Sequence, residues 1–218
     1  RERERERTKS KNIALNKFIV LAFAGSSLAA PKQKNSNYSV EQYAAKYGNK
    51  RFNEWTWLTA HNAHLNWHDN GVIEAASNQQ LSLDQQLKHG VRGFMLDIDY
   101  KTCSDMDEWF GTCKCEGVCL CHGKCATSAN AIKDGFAIKK LDYALRKLVS
   151  FLLKNPGEIV TVILENYVSD ARKLQQTLSK VRHLNGLVFD PYASEWDVPS
   201  RGWPLLADMV RANKRLLF

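Results

Sequence analysis

Two histidines and three oxygen-bearing side chains stand where apolar runs end, and they are the residue types of proton transfer and hard-cation binding. Trp55-Thr56-Trp57-Leu58-Thr59-Ala60 runs into His61 and Asn62, and Val91 to Leu96 runs into Asp97, Ile98 and Asp99. Val118-Cys119-Leu120-Cys121 runs into His122, and Ile159 to Leu164 runs into Glu165 and Asn166. An imidazole with its ordinary pKa of ~6.5 takes and returns a proton near neutral pH, so His61 and His122 are the candidate acid and base. Asp97 and Glu165, with the amide oxygen of Asn62, are hard donors suited to a divalent cation. The competing reading places the two carboxylates in ion pairs with Arg92 or a lysine. His64, His68, His89 and His183 are read as structural or surface residues.

These groups need strands to position them. A buried strand gains nothing from an unpaired aspartate, whose desolvation is costly. At the carboxyl end of a parallel strand, an acid sits instead on the rim where α/β barrels keep their chemistry. All four runs are expected to deliver their polar residue at the same end. Strand alternation puts Met95 and Asp97 on one face, and likewise Thr161, Ile163 and Glu165. Arg92 then points the other way, toward a helix.

Between the strands, Ser82-Leu83-Asp84-Gln85 has the form of a capping box opening a helix that stops at Gly90. Apolar residues at 138, 141, 145, 148, 149 and 152 predict a helix over 136–153, ended by Asn155-Pro156-Gly157. Further helices are expected over 170–182 and 203–213, and Arg215 to Phe218 opens another strand. Such alternation predicts a parallel sheet with right-handed crossovers. No Gly-x-Gly-x-x-Gly follows the first strand, so a doubly wound nucleotide-binding sheet lacks its anchor. Polar strand ends favour a barrel, of which about five strands are visible against the eight of a closed one.

The formal charge is +8, but residues 31–218 carry 24 Lys/Arg against 20 Asp/Glu. That mild excess suits an anionic substrate or a peripheral membrane surface. No basic run interleaved with aromatics points to nucleic acid. Residues 1–30 read as leader and signal peptide. The alternating Arg-Glu run over 1–7 is set aside as read-through leader, and Lys9, Lys11 and Lys17 flank an apolar stretch from Phe18 to Ala24. Small residues at Ser27-Leu28-Ala29 place cleavage near Ala29 or Ala30, so the protein is expected to be secreted. Asn37-Tyr38-Ser39 is a glycosylation sequon. Residues 31–52 read as a polar lead-in arm to a unit spanning 53–218. An insertion over 100–134 holds Cys103, Cys113, Cys115, Cys119, Cys121 and Cys125. Export favours disulfides over a thiolate zinc site, with 15 pairings open to six cysteines.

Trp57-Leu58-Thr59-Ala60-His61-Asn62, Ser77-Asn78-Gln79-Gln80, Gly90 to Asp97, Cys121-His122 and Val162-Ile163-Leu164-Glu165-Asn166-Tyr167 resemble the phosphatidylinositol-specific phospholipase C X domain. The likeness is greatest to its secreted branch of PLC-like phosphodiesterases, and it runs from about Asn53 to Phe218. It implies a distorted TIM (β/α)8 barrel, here truncated after about five strands. It also implies that His61 is the base activating an inositol 2-hydroxyl, and His122 the acid protonating the departing diacylglycerol oxygen. Asn62, Asp97 and Glu165 match calcium ligands of the intracellular eukaryotic enzymes. Those enzymes carry a further acid where this chain has Met95, a poor calcium ligand, and Asp99 is a candidate substitute. The bacterial enzymes work without metal, with an arginine where this chain has Asp97. The expected function is therefore a secreted phosphoric diester hydrolase acting on an inositol phospholipid or related phosphodiester. Its alternatives are a glycerophosphodiesterase or sphingomyelinase D-like enzyme, and a catalytically silent extracellular protein that binds head groups. A membrane anchor carried by a following segment is compatible with either.

Overall fold

The computed structural model describes residues 40–70, 77–102, 116–121 and 139–218. Five strands form one sheet: β1 (Thr59–Ala60), β2 (Gly93–Lys101), β3 (Gly117–Cys121), β4 (Val160–Asn166) and β5 (Leu216–Leu217). The path β1-β2-β4-β5 is parallel throughout, and β3 pairs with β2 antiparallel. The expectation that all four apolar runs point the same way is thus corrected for β3. The reason lies in strand length. β2 outruns β1, which pairs only with Gly93 and Phe94, and β3 returns along the same edge to pair with Asp97 to Lys101. Its hydrogen bonds satisfy backbone groups that β1 is too short to reach.

The helices among the described residues are α1 (Val40–Ala45), α2 (Trp67–Asn70), α3 (Leu83–Lys88), α4 (Leu141–Lys154), α5 (Ala171–Ser179), α6 (Leu184–Leu187), α7 (Val198–Arg201) and α8 (Leu206–Arg211). α3 has the anticipated cap: Ser82 Oγ accepts from the Gln85 amide at 3.2 Å, and Gln85 Oε1 accepts from the Ser82 amide at 2.9 Å. α4 buries Leu141, Ala144, Leu145, Leu148, Val149 and Leu152, the stripe read from the sequence. It starts at Leu141 rather than 136, and residues 136–138 lie outside the described residues. α5 and α8 are shorter than expected: α5 ends at Ser179, with Lys180 as its C-cap, and α8 runs only from Leu206 to Arg211. Asp170 accepts from the Arg172 amide at 3.0 Å and starts α5, while Gly202, Trp203 and Pro204 hold the chain out of helix before α8. The short α6 and α7 were not foreseen, having no room for a periodic stripe.

Phe94, Leu96 and Ile98 of β2, Val160 and Val162 of β4 and Leu216 of β5 meet the buried faces of α3, α4, α5 and α6 in one core. The opposite sheet face holds Met95, Asp97, Thr161, Ile163 and Glu165, with Ile163 47% exposed. Among the described residues α3 to α6 cover one sheet face, Leu217 of β5 meets α8 on the other, and the parallel strands follow sequence order without reversal. A doubly wound sheet reverses its strand order, and the described strands do not.

A second core gathers Tyr47, Ile159, Phe189, Leu206, Met209, Val210 and Leu217, rimmed by Phe52, Trp55, Trp57, Trp196 and Trp203. The lead-in arm contributes to it directly. Tyr47 is buried and meets Trp55 edge-on, with ring centroids 5.1 Å apart.

Arg92 lies on the helix side, as alternation predicts. Its Nε donates to Glu158 at 2.7 Å, Nη1 to the Leu87 and Val91 carbonyls at 2.8 Å, and its guanidinium lies 4.7 Å over the Phe151 ring. Arg215 is buried and donates through Nη1 to the carbonyls of Leu152, Asn155 and Glu158 at 2.9, 3.0 and 3.1 Å, tying the end of α4 to β5. Burial lowers its pKa to about 10, so it stays charged at neutral pH.

Where β1 and β2 meet, the fit is close. A Cβ placed on Gly93 would stand 2.2 Å from Thr59 Oγ1 and 2.9 Å from Thr59 Cβ. Because Cβ moves only with the strand, Gly93→Ala is expected to cost about 1–3 kcal/mol of overpacking. Urea unfolding of the full-length protein measures it, and an unchanged midpoint would contradict the contact.

Candidate active site

The turn after β1 carries the first histidine. His61 is exposed, and its carbonyl accepts from Gln79 Nε2 at 2.7 Å. Asn62 takes a left-handed backbone (φ 46°), which asparagine tolerates better than most residues. Its side chain is 1% exposed, and Oδ1 has no hydrogen-bond partner among the described residues. A buried acceptor left unpaired costs about 1–3 kcal/mol. The turn is bolted to the central strand, since the Ala63 amide donates to the Met95 carbonyl at 2.9 Å.

Asp97 is 2% exposed, and its register partner across β2 and β4 is Glu165. Side chains at such a pair share a face on strands about 4.8 Å apart. Arg92 is held by Glu158, and Lys101 bonds Asp99 at 3.0 Å. Asp99, the candidate substitute ligand, thus stands in an ion pair one step beyond Asp97 on the same face. Met95 lies on that face too, half-buried, opposite Ile163.

Glu165 accepts a hydrogen bond from the Tyr167 hydroxyl. That bond first, then some loss of solvent and the charges of Glu165 and Asp97, raise the Tyr167 pKa and keep its phenol protonated. The Tyr167 amide donates to the Ile98 carbonyl at 2.8 Å, which continues the β2–β4 ladder past the strand end. Tyr167 therefore belongs to the same corner as Asp97 and Glu165. Sequence reading noted it only as part of a motif.

Among the remaining histidines, His64 is buried, with Nε2 2.5 Å from the Cys121 carbonyl oxygen. A carbonyl only accepts, so the imidazole carries its proton on Nε2 there. The bond ties the His61 turn to the end of β3, where Cys121 stands opposite Asp97. His68 and His89 are exposed and His183 half-buried. His122, Asn37, Cys103, Cys113, Cys115 and Cys125 lie outside the described residues. Cys119 and Cys121 are buried.

A second polar group supports the turn from behind. Asp69 accepts from the Leu83 amide at 2.7 Å, from Asn66 Nδ2 at 3.0 Å and from the Tyr143 hydroxyl at 2.8 Å, with Lys147 at 3.4 Å. Burial alone would raise the carboxyl's pKa, but these hydrogen bonds and the Lys147 charge overcome it and hold it below the ordinary value. Asn66 Nδ2 reaches the Ala63 carbonyl at 3.2 Å, and Gln86 Nε2 donates to the same oxygen at 2.9 Å. The turn is thereby hung from α3 and α4. Sequence reading missed Asp69, although Asn66-x-x-Asp69 followed by a capped helix start was visible.

Among the described residues no group of three or more His, Cys, Asp or Glu could hold a metal ion. Two carboxylates with the Asn62 amide oxygen make an all-oxygen set of a kind that suits a hard cation.

The fold is thus α/β, with His61-Asn62 following β1 and Asp97 and Glu165 in register on the parallel strands β2 and β4. The PI-PLC X 1 family matches residues 47–218. The chain is also 34% identical, over 171 residues, to a PI-PLC X domain-containing protein of Arabidopsis thaliana, an alignment covering 76% of this chain and 35% of that protein. It belongs to the PI-PLC X domain family. It spans about a third of the length of this relative, and the match begins at Tyr47, the arm residue seated in the second core.

Proposed function

We propose that this chain is part of a secreted phosphoric diester hydrolase of the phosphatidylinositol phospholipase C type, working at a membrane surface on an inositol phospholipid or related diester. Its sheet is the first part of a distorted TIM barrel, and disulfides among its six cysteines staple the insertion over 100–134. The observation that carries this reading is the corner itself. The buried Oδ1 of Asn62, with no partner among the described residues, stands on the His61 turn, and Asp97 and Glu165 are register partners on neighbouring parallel strands.

In this reading His61 removes the proton from the inositol 2-hydroxyl as that oxygen bonds to phosphorus. The bond from phosphorus to the diacylglycerol oxygen breaks, and His122 supplies the proton which that oxygen takes up. Asn62, Asp97 and Glu165 fit a divalent cation, calcium by resemblance, as three oxygen donors. When bound, it offsets the negative charge of the diester phosphate. His61 is free to move a proton because it is exposed and bears no packing role. The lipid head group is expected to lie over the open sheet face, above Ile163.

Met95 favours one further reading, a head-group-binding protein without turnover, since a thioether stands where the matched enzymes carry an acid. It also argues against the glycerophosphodiesterase type, which needs a Glu-x-Asp pair on the second strand. The test is diacylglycerol release from phosphatidylinositol vesicles by the full-length protein. Release that falls at least about tenfold on chelation with EGTA and returns with calcium is expected. Vesicle binding without release would establish the silent protein instead.

A further inference from the structure

We propose that Tyr167 is a positioning residue for the cation site: its hydroxyl claims one oxygen of Glu165, so that the carboxylate presents the other beside Asp97. This rests on the reading of Asn62, Asp97 and Glu165 as cation ligands.

Two observations lead to it. The Tyr167 hydroxyl donates to Glu165 Oε1. Asp97 and Glu165 are register partners on adjacent parallel strands, so their like charges face each other across a single strand spacing. Left to itself, a flexible glutamate beside a fixed, buried aspartate swings its carboxylate away, because charge repulsion and the rotamer freedom of a long side chain both favour that. A donor on the same strand end offsets the repulsion and selects one rotamer. Tyr167 is well placed to do so. Its amide bonds the Ile98 carbonyl at 2.8 Å, and the Asn166 Oδ1 bond to the Val168 amide at 2.9 Å closes the turn beyond it. The phenol therefore comes from anchored backbone and keeps its aim. Phenylalanine at this position would preserve the ring and lose the aim.

Partners that orient a ligand in this way are worth about 10–100-fold in metal affinity. The experiment is calcium titration of the full-length protein and of Tyr167→Phe by isothermal calorimetry, without lipid, alongside calcium-free melting curves of both. Calcium binding about 10–100-fold weaker in Tyr167→Phe, with the calcium-free melting temperature unchanged, is the expected result. Equal or tighter binding by Tyr167→Phe overturns the proposal. So does a loss of affinity matched by a fall in the calcium-free melting temperature, which would mark a merely structural bond. No calcium binding by the unaltered protein would overturn the cation reading itself, and this inference with it.

Discussion

His61→Ala in the full-length protein is expected to lower turnover of phosphatidylinositol by about 10²–10⁴-fold, the usual worth of a positioned acid or base. Stability should hardly change, because the side chain is exposed and the turn is fixed through its backbone: Gln79 holds the His61 carbonyl and Met95 holds the Ala63 amide. His122→Ala is expected to lose a similar factor for a different reason, since it removes the proton donor to the leaving oxygen. The two are separated by a diester with a nitrophenol leaving group, which departs without a proton. On that substrate His122→Ala should recover most of its rate and His61→Ala should not. Equal recovery by both, or full activity in either, would show that the roles are wrongly assigned.

Asp69→Ala is expected to be the most damaging single change to stability, at about 3–5 kcal/mol, the range for breaking a buried charged network by removing one partner. It strips partners from the Leu83 amide, Tyr143, Asn66 and Lys147 together. Asp69→Asn keeps the shape and removes the charge, and its loss should depend on pH. The folded pKa of Asp69 lies below the unfolded one, so its contribution is complete above the unfolded value of ~3.9 and disappears as pH falls through the folded value. Urea unfolding of wild type and Asp69→Asn should differ fully at pH 7 and converge as pH drops below about 4. A gap that persists unchanged into acid would mean that the carboxylate charge is not what holds the turn. Glu158, also held low against burial by Arg92 and Lys46, titrates in the same window but is common to both proteins.

How legible was this in the residues? The nearness of Asp97 and Glu165 was, because both follow apolar runs that pair in parallel. Apolar runs that stop at His61-Asn62, Asp97 and Glu165 have few other uses, and period-two alternation correctly turned Arg92 away from the site. α3 and α4 were legible for equally local reasons, a capping box and a stripe of leucines. The direction of β3 was not, since an apolar run carries no sign of whether it pairs parallel or antiparallel. That is decided by the unpaired edge of β2, a tertiary fact. Asp69 was missed for a related reason. A buried polar residue looks like a surface one until its partners are known, and two of those of Asp69, Leu83 and Tyr143, lie 14 and 74 residues away. Tyr47 was placed in a polar arm because aromatics scattered among polar residues give no period, yet it closes the second core.

The most direct test of the central claim is the chemical form of the first phosphorus-containing product. Full-length protein incubated with phosphatidylinositol vesicles and calcium should yield, by phosphorus NMR, a cyclic inositol phosphodiester matched by diacylglycerol. Both should be missing with His61→Ala. Phosphatidate or a non-cyclic phosphate ester as the first product would contradict attack by the inositol hydroxyl, and with it the role given to the His61 rim.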